Sequence, residues 1–445
     1  MGTGYRAFLR NMYRKLSMVV GITLLMFLFS QATAQQSPYA ALTLTNAEAG
    51  YYPFFPSITR LNNGNLLMVY YWNTAHVNKT GGKIMAKISK DNGVSWSRPV
   101  PVADYTHLGL DSRDPNLSVL SNGIILLSFF TGKYDGSGFV PTEYQDRVVE
   151  TRVMRCTDGT GLNWSEPVVV PTQKYSNATS GSIIETDAKV VLLPSYGRYA
   201  AKDVNKAYVS RSTDGGLTWQ TEILVTDDNN NGLGYNEMTL AYVNNVVYAV
   251  TRPSGRIFKS FDHGLNWQPH HVNGPPMHAP DLIKLDNNTL FLTWCSTGQI
   301  PENSSRAVFG KVFNPDIDWD DTPTYLIYSS NDCIDMGYPT SVQMGENIMT
   351  VYYDKCKGML AASIIPMNTI STDEMPEFIL FPNPATDFTN ILSIHKELLI
   401  LDYQLFNSSG MFVMQGRSNI IPLYDLEKGY YYLFTELGIQ KILKQ

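Results

Sequence analysis

"NEMTLAYVNNVVYAVTR", residues 236–252, is the stretch that decides the fold. Two apolar runs rich in Val, Tyr, Thr and Leu flank the pair Asn244–Asn245. Such residues suit a pleated strand, and asparagine tolerates the positive φ that a two-residue hairpin turn needs. The same design recurs in "FPSITRLNNGNLLMVYYW" (55–72), "DPNLSVLSNGIILLSFFT" (114–131), "GSIIETDAKVVLLPSYG" (181–197), "APDLIKLDNNTLFLTWC" (279–295) and "YPTSVQMGENIMTVYYD" (338–354). A long repeat built from short strand pairs predicts an all-β chain. It is the pattern of a six-bladed β-propeller, one blade per repeat, over residues 37–367.

A second repeat marks the outer corners of four of these units. "SRSTDGGLTW" (210–219) is matched by "SKDNGVSW" (89–96), "SFDHGLNW" (260–267) and "CTDGTGLNW" (156–164), the last with one extra residue. Asp can bond turn amides, Gly accepts φ > 0, and Trp brings a hydrophobic body to bury. These corners are read as turn-holders and are assigned no chemistry.

With 44% hydrophobic and 17% charged residues, the chain can build a full core. A net charge of −6 argues against a general nucleic-acid binder. Arg6, Arg10, Arg14 and Lys15 precede the apolar run "MVVGITLLMFLF" (18–29), and Ala32 and Ala34 then form an A-x-A site. This is the pattern of a secretory leader over residues 1–34, too short in its apolar part for a comfortable membrane span. Its removal leaves 30 basic against 40 acidic side chains. Of the four cysteines, Cys333 and Cys356 could pair in an exported protein, while buried free thiols are the plainer reading for all of them. No Gly-rich phosphate loop follows a strand and the cysteines fit no zinc spacing, so no cofactor is expected.

In a propeller the inner strands line one funnel, so residues at hairpin mouths converge. First-strand starts nominate Phe54, Phe55, Asp111, Arg113, Asp114, Glu237, His278, Asp281 and Tyr338. Second-strand ends nominate Trp72, Tyr196, Arg198, Arg252, Trp294 and Tyr353, and Arg306 precedes the last unit. Glu237 and Arg252 flank one hairpin and should sit side by side. Guanidinium groups bind carboxylates with paired hydrogen bonds, and aromatic faces suit sugar rings, so the set fits an acidic sugar. Each residue also has a plainer role: a packed tyrosine for Tyr338, a structural ion pair for Glu237 and Arg252, a loop arginine for Arg306, a rim histidine for His278, a turn cap for Asp114.

The four Asp-containing corners, the six hairpins, "NEMTLAYVNNVVYAVTR" and "GYPTSV…VYYD" together resemble the sialidase (neuraminidase) superfamily across the propeller. The resemblance implies glycoside hydrolysis. Tyr338 would be the nucleophile and Glu237 its helper base, with Arg252 and Arg306 as two of three carboxylate-binding arginines. A neutral phenol suits an anomeric carbon that bears a carboxylate, and it needs a base beside it. The chain departs from the family twice. Phe54-Phe55-Pro56 stands where an Arg-Ile-Pro tripeptide supplies the first arginine, and "WNTAHVNKTGG" holds His76 and no acid where the family has its Asp acid/base. "DSRDPN" in the next unit could compensate, Arg113 as carboxylate binder and Asp111 or Asp114 as acid/base. His278, Trp72 and Tyr196 complete the expected sugar-binding set. A related hydrolase acting on a uronic or neutral sugar, or a glycan-binding propeller without turnover, stays open.

Beyond the linker at residues 368–377, the segment 378–445 runs "FPNPATDFTNILSI", "LFNSSGMFVMQG", "IPLYDLEKGYYYLF" and "KILKQ". Short strands with Gly and Asn turns predict a small β-sandwich. The motif order resembles the C-terminal sorting domain of the type IX secretion system. That resemblance implies that the secretion machinery is a partner and that the protein acts outside the cell. A monomer with a glycan substrate, no membrane-spanning segment and no nucleic-acid partner is expected.

Overall fold

The computed structural model describes residues 39, 41–76, 81–133, 149–200, 202–226, 228–270, 273–297, 306–314, 319, 322–330, 333–370, 378–381, 383, 385–393, 400–407, 411–435 and 438–445. The leader at 1–34 and the acidic linker stretch 371–377 lie outside them. Strands dominate, and the helical elements among the described residues are two single turns, Thr106–Leu108 and Asn230–Gly232.

All six predicted hairpins form. In the opening stretch Met238–Val243 pairs with Val246–Thr251, and Val243 opposite Val246 closes the two-residue turn. Asn244 and Asn245 have φ of 50° and 63°, as a turn matched to the strand twist requires. Each hairpin extends outward by further antiparallel strands. Met238–Val243, Met277–Lys284 and Tyr52–Arg60 each begin a four-stranded sheet. Leu110–Val119 begins a longer one, which a single parallel pairing of Ser176 with Val149 continues into the strands up to Ile223–Leu224. The last hairpin, Met336–Met344 with Asn347–Asp354, is completed by Met359–Pro366 and then by Ala41–Asn46 from the other end of the chain.

Apolar clusters fill the spaces between successive sheets. Val69 and Leu127 belong to one, Leu126 and Val191 to the next, then Leu192 with Val247, Val250 with Leu292, and Phe291 with Ile348. A sixth cluster joins Val351 back to Phe54 and Met68. The order of packing is therefore cyclic. Strands alternate their side chains, so a sheet held between two neighbours must be apolar on both faces, which explains the near-continuous hydrophobic runs in the hairpins.

The Asp-containing corners are turn-holders, as read. Asp214 accepts the Leu217 and Thr218 amides at 3.0 and 2.9 Å, and Ser212 Oγ bonds both Asp214 and the Gly216 amide. In the copy that lacks the serine, Cys156 Sγ takes its place and receives the Gly161 amide at 3.2 Å. Losing these bonds in Asp214→Ala should cost about 1 kcal/mol in urea unfolding, with no effect on chemistry at the far end of the sheet. A change in activity would contradict the turn-holder assignment.

Cys333 and Cys356 form a disulfide with Cα atoms 5.9 Å apart, while Cys156 and Cys295 are free and buried. C-terminal to these sheets, Phe378–Phe381, Phe388–Ser393 and Ile420–Pro422 form one antiparallel sheet, and four strands from Leu401–Asn407 to Gly438–Lys444 form another. Leu380, Ile391 and Ile421 of the first share a core with Leu405, Leu433 and Ile442 of the second. No helix among the described residues is long and apolar enough to cross a membrane.

Candidate active site

Four first strands share a device that aims side chains at a common point. Phe55, Asp114, Ala279 and Tyr338 each precede a proline and each has φ between 42° and 49°. At every one the strand register shifts: between Phe54 and Ser57, Arg113 and Asn116, His278 and Asp281, Gly337 and Thr340. A bulge inserts a residue and re-aims the chain, and left-handed backbone is costly for residues other than glycine. The bulges are clamped from the neighbouring sheet. Ser57 Oγ accepts the Leu117 amide at 3.0 Å, Thr239 Oγ1 the Leu282 amide at 3.0 Å, and an Asp281 carboxylate oxygen the Ser341 amide at 2.9 Å. Phe55, Asp114, Ala279 and Tyr338 consequently line one cavity of about 30 Å³. It has room for a water and no sugar ring.

Next to this cavity lies the core of the site. Beyond the last strand pair of the central hairpin, the Arg252 amide still bonds the Glu237 carbonyl at 2.9 Å. The two side chains are thereby adjacent, and Arg252 Nη1 donates to Glu237 Oε1. Tyr338, 101 residues away, donates its hydroxyl to the same oxygen at 2.7 Å. Glu237 is 3% exposed and its Oε2 has no hydrogen-bond partner among the described residues.

Electrostatics distinguish the members. Burial, followed by the Glu237 and Asp114 charges, holds the Tyr338 phenol well above its usual range. Tyr196 is raised the same way, by burial and then Glu237 and Asp114, which puts it beside both carboxyls. Burial pushes Asp114 up to about 7, with Arg113 opposing and Glu237 and Asp111 adding to the rise. Its Oδ1 is without a partner among the described residues. Burial, then Arg252 and Arg306, lowers His278 to about 4, so this ring is neutral at pH 7 and lies near both arginines.

Asp114 should therefore hold its proton until about pH 7. An unfolded chain loses that proton near 4, so folding stability falls as pH rises between these values. The loss by pH 8 should be at most about 4 kcal/mol and should vanish in Asp114→Asn. Thermal unfolding of both proteins at pH 5 and pH 8 checks this: equal shifts would show that Asp114 is not the buried acid.

The structure thus brings Tyr338, Glu237, Arg252, Asp114 and Tyr196 together, with His278 and Arg306 at their flank. Asp111 is placed differently. Its Oδ1 accepts the Tyr71 hydroxyl at 2.9 Å and the Gly82 amide, and its Oδ2 lies 3.8 Å from Arg113 Nε. Arg113 sits over Phe55, Tyr71 and Phe130, with its guanidinium carbon 5.2 to 5.9 Å from the ring centres. Both hold the aromatic wall, and both charges still act on Asp114.

Two expected aromatic platforms lie elsewhere. Trp72 stacks on Tyr51 at 6.0 Å, and no ring contact among the described residues joins it to Tyr338. Trp294 is 3% exposed, packed on Phe309 and Trp319. The cause for Trp72 is strand alternation: Tyr71, one residue earlier, faces the site side and stacks on Phe55 at 5.5 Å. Sequence reasoning also passed over the recurring X-Pro at the hairpin mouths, which is visible in every quoted unit that begins FP, DP, AP or YP. It missed Asp335 as well, which bonds His76 and Tyr353 beside the same aromatic wall. Nothing in the sequence links those three.

Residues 48–350 match the family described as BNR repeat-like domain. No curated protein matches the sequence. Among solved structures, a protein of unknown function from Dyadobacter fermentans is 20% identical, with a TM-score of 0.59 and coverage of 73% of this chain and 97% of that one. The Hadza microbial sialidase Hz136 is 16% identical with a TM-score of 0.59, over 72% of this chain and 66% of its own. An α-L-arabinanase from Penicillium chrysogenum, solved with arabinobiose, is 12% identical with a TM-score of 0.54, over 74% of this chain and 98% of its own. At these identities the likeness is one of fold.

Proposed function

Because the chain belongs to the BNR repeat-like family, whose match spans residues 48–350, we propose that it is a secreted exo-glycosidase that removes terminal acidic sugars from glycans. The cyclically packed sheets are the six blades of a propeller, and the site lies at its axis. A single observation carries the reading: Tyr338 and Arg252 converge on one oxygen of the buried Glu237. A phenol that donates to a carboxylate beside a substrate pocket is placed to act as a nucleophile with its base. A binding protein has no use for that pairing.

Each residue then has a task. Glu237 takes the Tyr338 proton as the phenol oxygen attacks the anomeric carbon. Arg252 and Arg306 hold the sugar carboxylate. Neutral His278 and Tyr196 bond hydroxyls. Asp114, which keeps its proton up to about pH 7, donates to the sugar from the cavity floor. The sugar lies over the cavity, which is too small to admit it. The leader and the C-terminal sandwich serve export through the type IX machinery, and the protein acts as a monomer outside the cell.

One observation favours a second reading, a uronic or neutral sugar. Phe54 is fully buried where a third arginine would stand, and Arg113 is occupied by Asp111 and aromatic rings. Two arginines rather than three then face the substrate. The test is a panel of 4-methylumbelliferyl glycosides of sialic acid, glucuronic acid and arabinose given to the full chain. Release from the sialoside supports the first reading. Release from another sugar alone supports the second, and glycan binding without release from any of them overturns both.

A further inference from the structure

One cluster of titratable side chains beside the site has no task in the reaction above. His76 Nδ1 lies 2.9 Å from Asp335 Oδ1, the Tyr353 hydroxyl donates to the same oxygen at 2.9 Å, and Lys355 Nζ is 3.6 Å from the other. The His76 ring meets Phe55 edge-on at 4.9 Å, and Tyr338 packs against Phe55 at 4.6 Å. The Tyr353 ring touches both, 6.4 Å from His76 and 6.1 Å from Tyr338. Two aromatic side chains, Phe55 and Tyr353, thus stand between the imidazole and the nucleophile, each touching both. Burial works to raise the Asp335 carboxyl, but the bond and charge of His76, then the Tyr353 bond and Lys355, outweigh it. Asp335 is held ionised.

Glycoside cleavage needs a proton donor to the leaving oxygen, and Asp114 is poorly placed for that. It is 5% exposed and lines the axial cavity, whereas a leaving group departs toward solvent. The His76 side chain is 35% exposed. With Nδ1 directed to Asp335, Nε2 is the remaining ring nitrogen, and no hydrogen bond among the described residues reaches it. A carboxylate that fixes one nitrogen of a histidine orients the other for proton transfer.

We propose that His76 is the general acid and base of glycoside cleavage, with Asp335 as its positioning residue. The proposal rests on the reading of Tyr338 as nucleophile and Glu237 as its base. In the first half-reaction the bond from the anomeric carbon to the leaving oxygen breaks and the bond to the Tyr338 oxygen forms. The phenol proton passes to Glu237, and the Nε2 proton passes to the leaving oxygen, which departs as an alcohol. In the second half, water attacks the anomeric carbon and gives a proton to Nε2, the bond from that carbon to the Tyr338 oxygen breaks, and the phenol oxygen recovers its proton from Glu237. Each group ends as it began.

The experiment compares two sialosides with the full-length protein. One carries 4-nitrophenol, which leaves without a proton; the other carries lactose, whose alkoxide does not. In His76→Ala, kcat/KM on the lactose-linked substrate should fall about 10²- to 10⁴-fold, while the loss on the nitrophenyl substrate stays within about tenfold. Asp335→Asn should show the same split, more weakly. His76→Gln, close to His in size, repeats the test if the alanine variant does not fold. Equal losses on the two substrates, or no loss, in a folded variant overturn the assignment. Tyr338→Phe should lose both equally, which tests the nucleophile separately. If the wild type cleaves neither substrate, the acidic-sugar reading fails and the role of His76 fails with it.

Discussion

Tyr338→Phe is expected to lower turnover of any glycoside the protein cleaves by at least about a thousandfold while leaving the fold intact. The substitution deletes one oxygen. The ring keeps its contacts with Phe55 and Tyr353, at 4.6 and 6.1 Å, and its place on the bulge. What disappears is the hydroxyl and its bond to Glu237 Oε1, which still has Arg252 as a donor. The cost in stability should be about 1 kcal/mol, the ordinary value of one hydrogen bond. A packed tyrosine with no chemical task would behave oppositely: activity would survive in proportion to folding. Measuring kcat and the urea midpoint on the same preparations separates the two, and preserved kcat ends the nucleophile assignment.

The second large effect lies on the Glu237–Arg252 pair. Arg252→Leu should destabilise the protein by about 3–5 kcal/mol and abolish activity, because it strands a buried carboxylate. Glu237 is 3% exposed and would keep only the Tyr338 hydroxyl as a donor. Glu237→Gln should split the two properties. The amide can still accept from Arg252, whose side chain is 22% exposed and so keeps some water, and the stability loss is the smaller one. The proposed base is removed, however, and kcat should fall about 10²- to 10⁴-fold. Replacing both residues by leucine should recover part of the stability lost in Arg252→Leu, since the desolvation cost goes with the charges. Arg252→Leu with wild-type stability would mean that water reaches Glu237, and the pair would then be an ordinary surface bridge.

Much of the fold was legible because the information is local. The turn at Asn244–Asn245, the apolar strands beside it and the Asp214 corner are each written within a few consecutive residues, and each formed as read. The adjacency of Glu237 and Arg252 was legible for the same reason, since one hairpin carries both. Trp72 shows the limit. Whether it or Tyr71 faces the site depends on the register of its strand, and one step of register reverses every side chain. That strand keeps unbroken register with Lys83–Ser89 and is apolar on both faces, so its pattern marks neither face as the inner one. It follows that counting from the hairpin turn along the sequence could not say which of the two aromatic residues would line the wall.

By itself the sequence determined the strands, their pairing into successive hairpins, the corners that hold them and the residue types gathered at the hairpin mouths. Local propensity and turn chemistry suffice for these, because strand partners are neighbours along the chain. Only the tertiary structure decided which mouths meet. Ala41–Asn46 closes the last sheet, Tyr338 reaches Glu237 across 101 residues, and His76 finds Asp335 across 259. The recurrent bulges, clamped by side chains of neighbouring sheets, then turn Tyr338 and Asp114 into one cavity. Contacts between sheets carry no period in the sequence, and they exist only once the cycle of packed cores has closed.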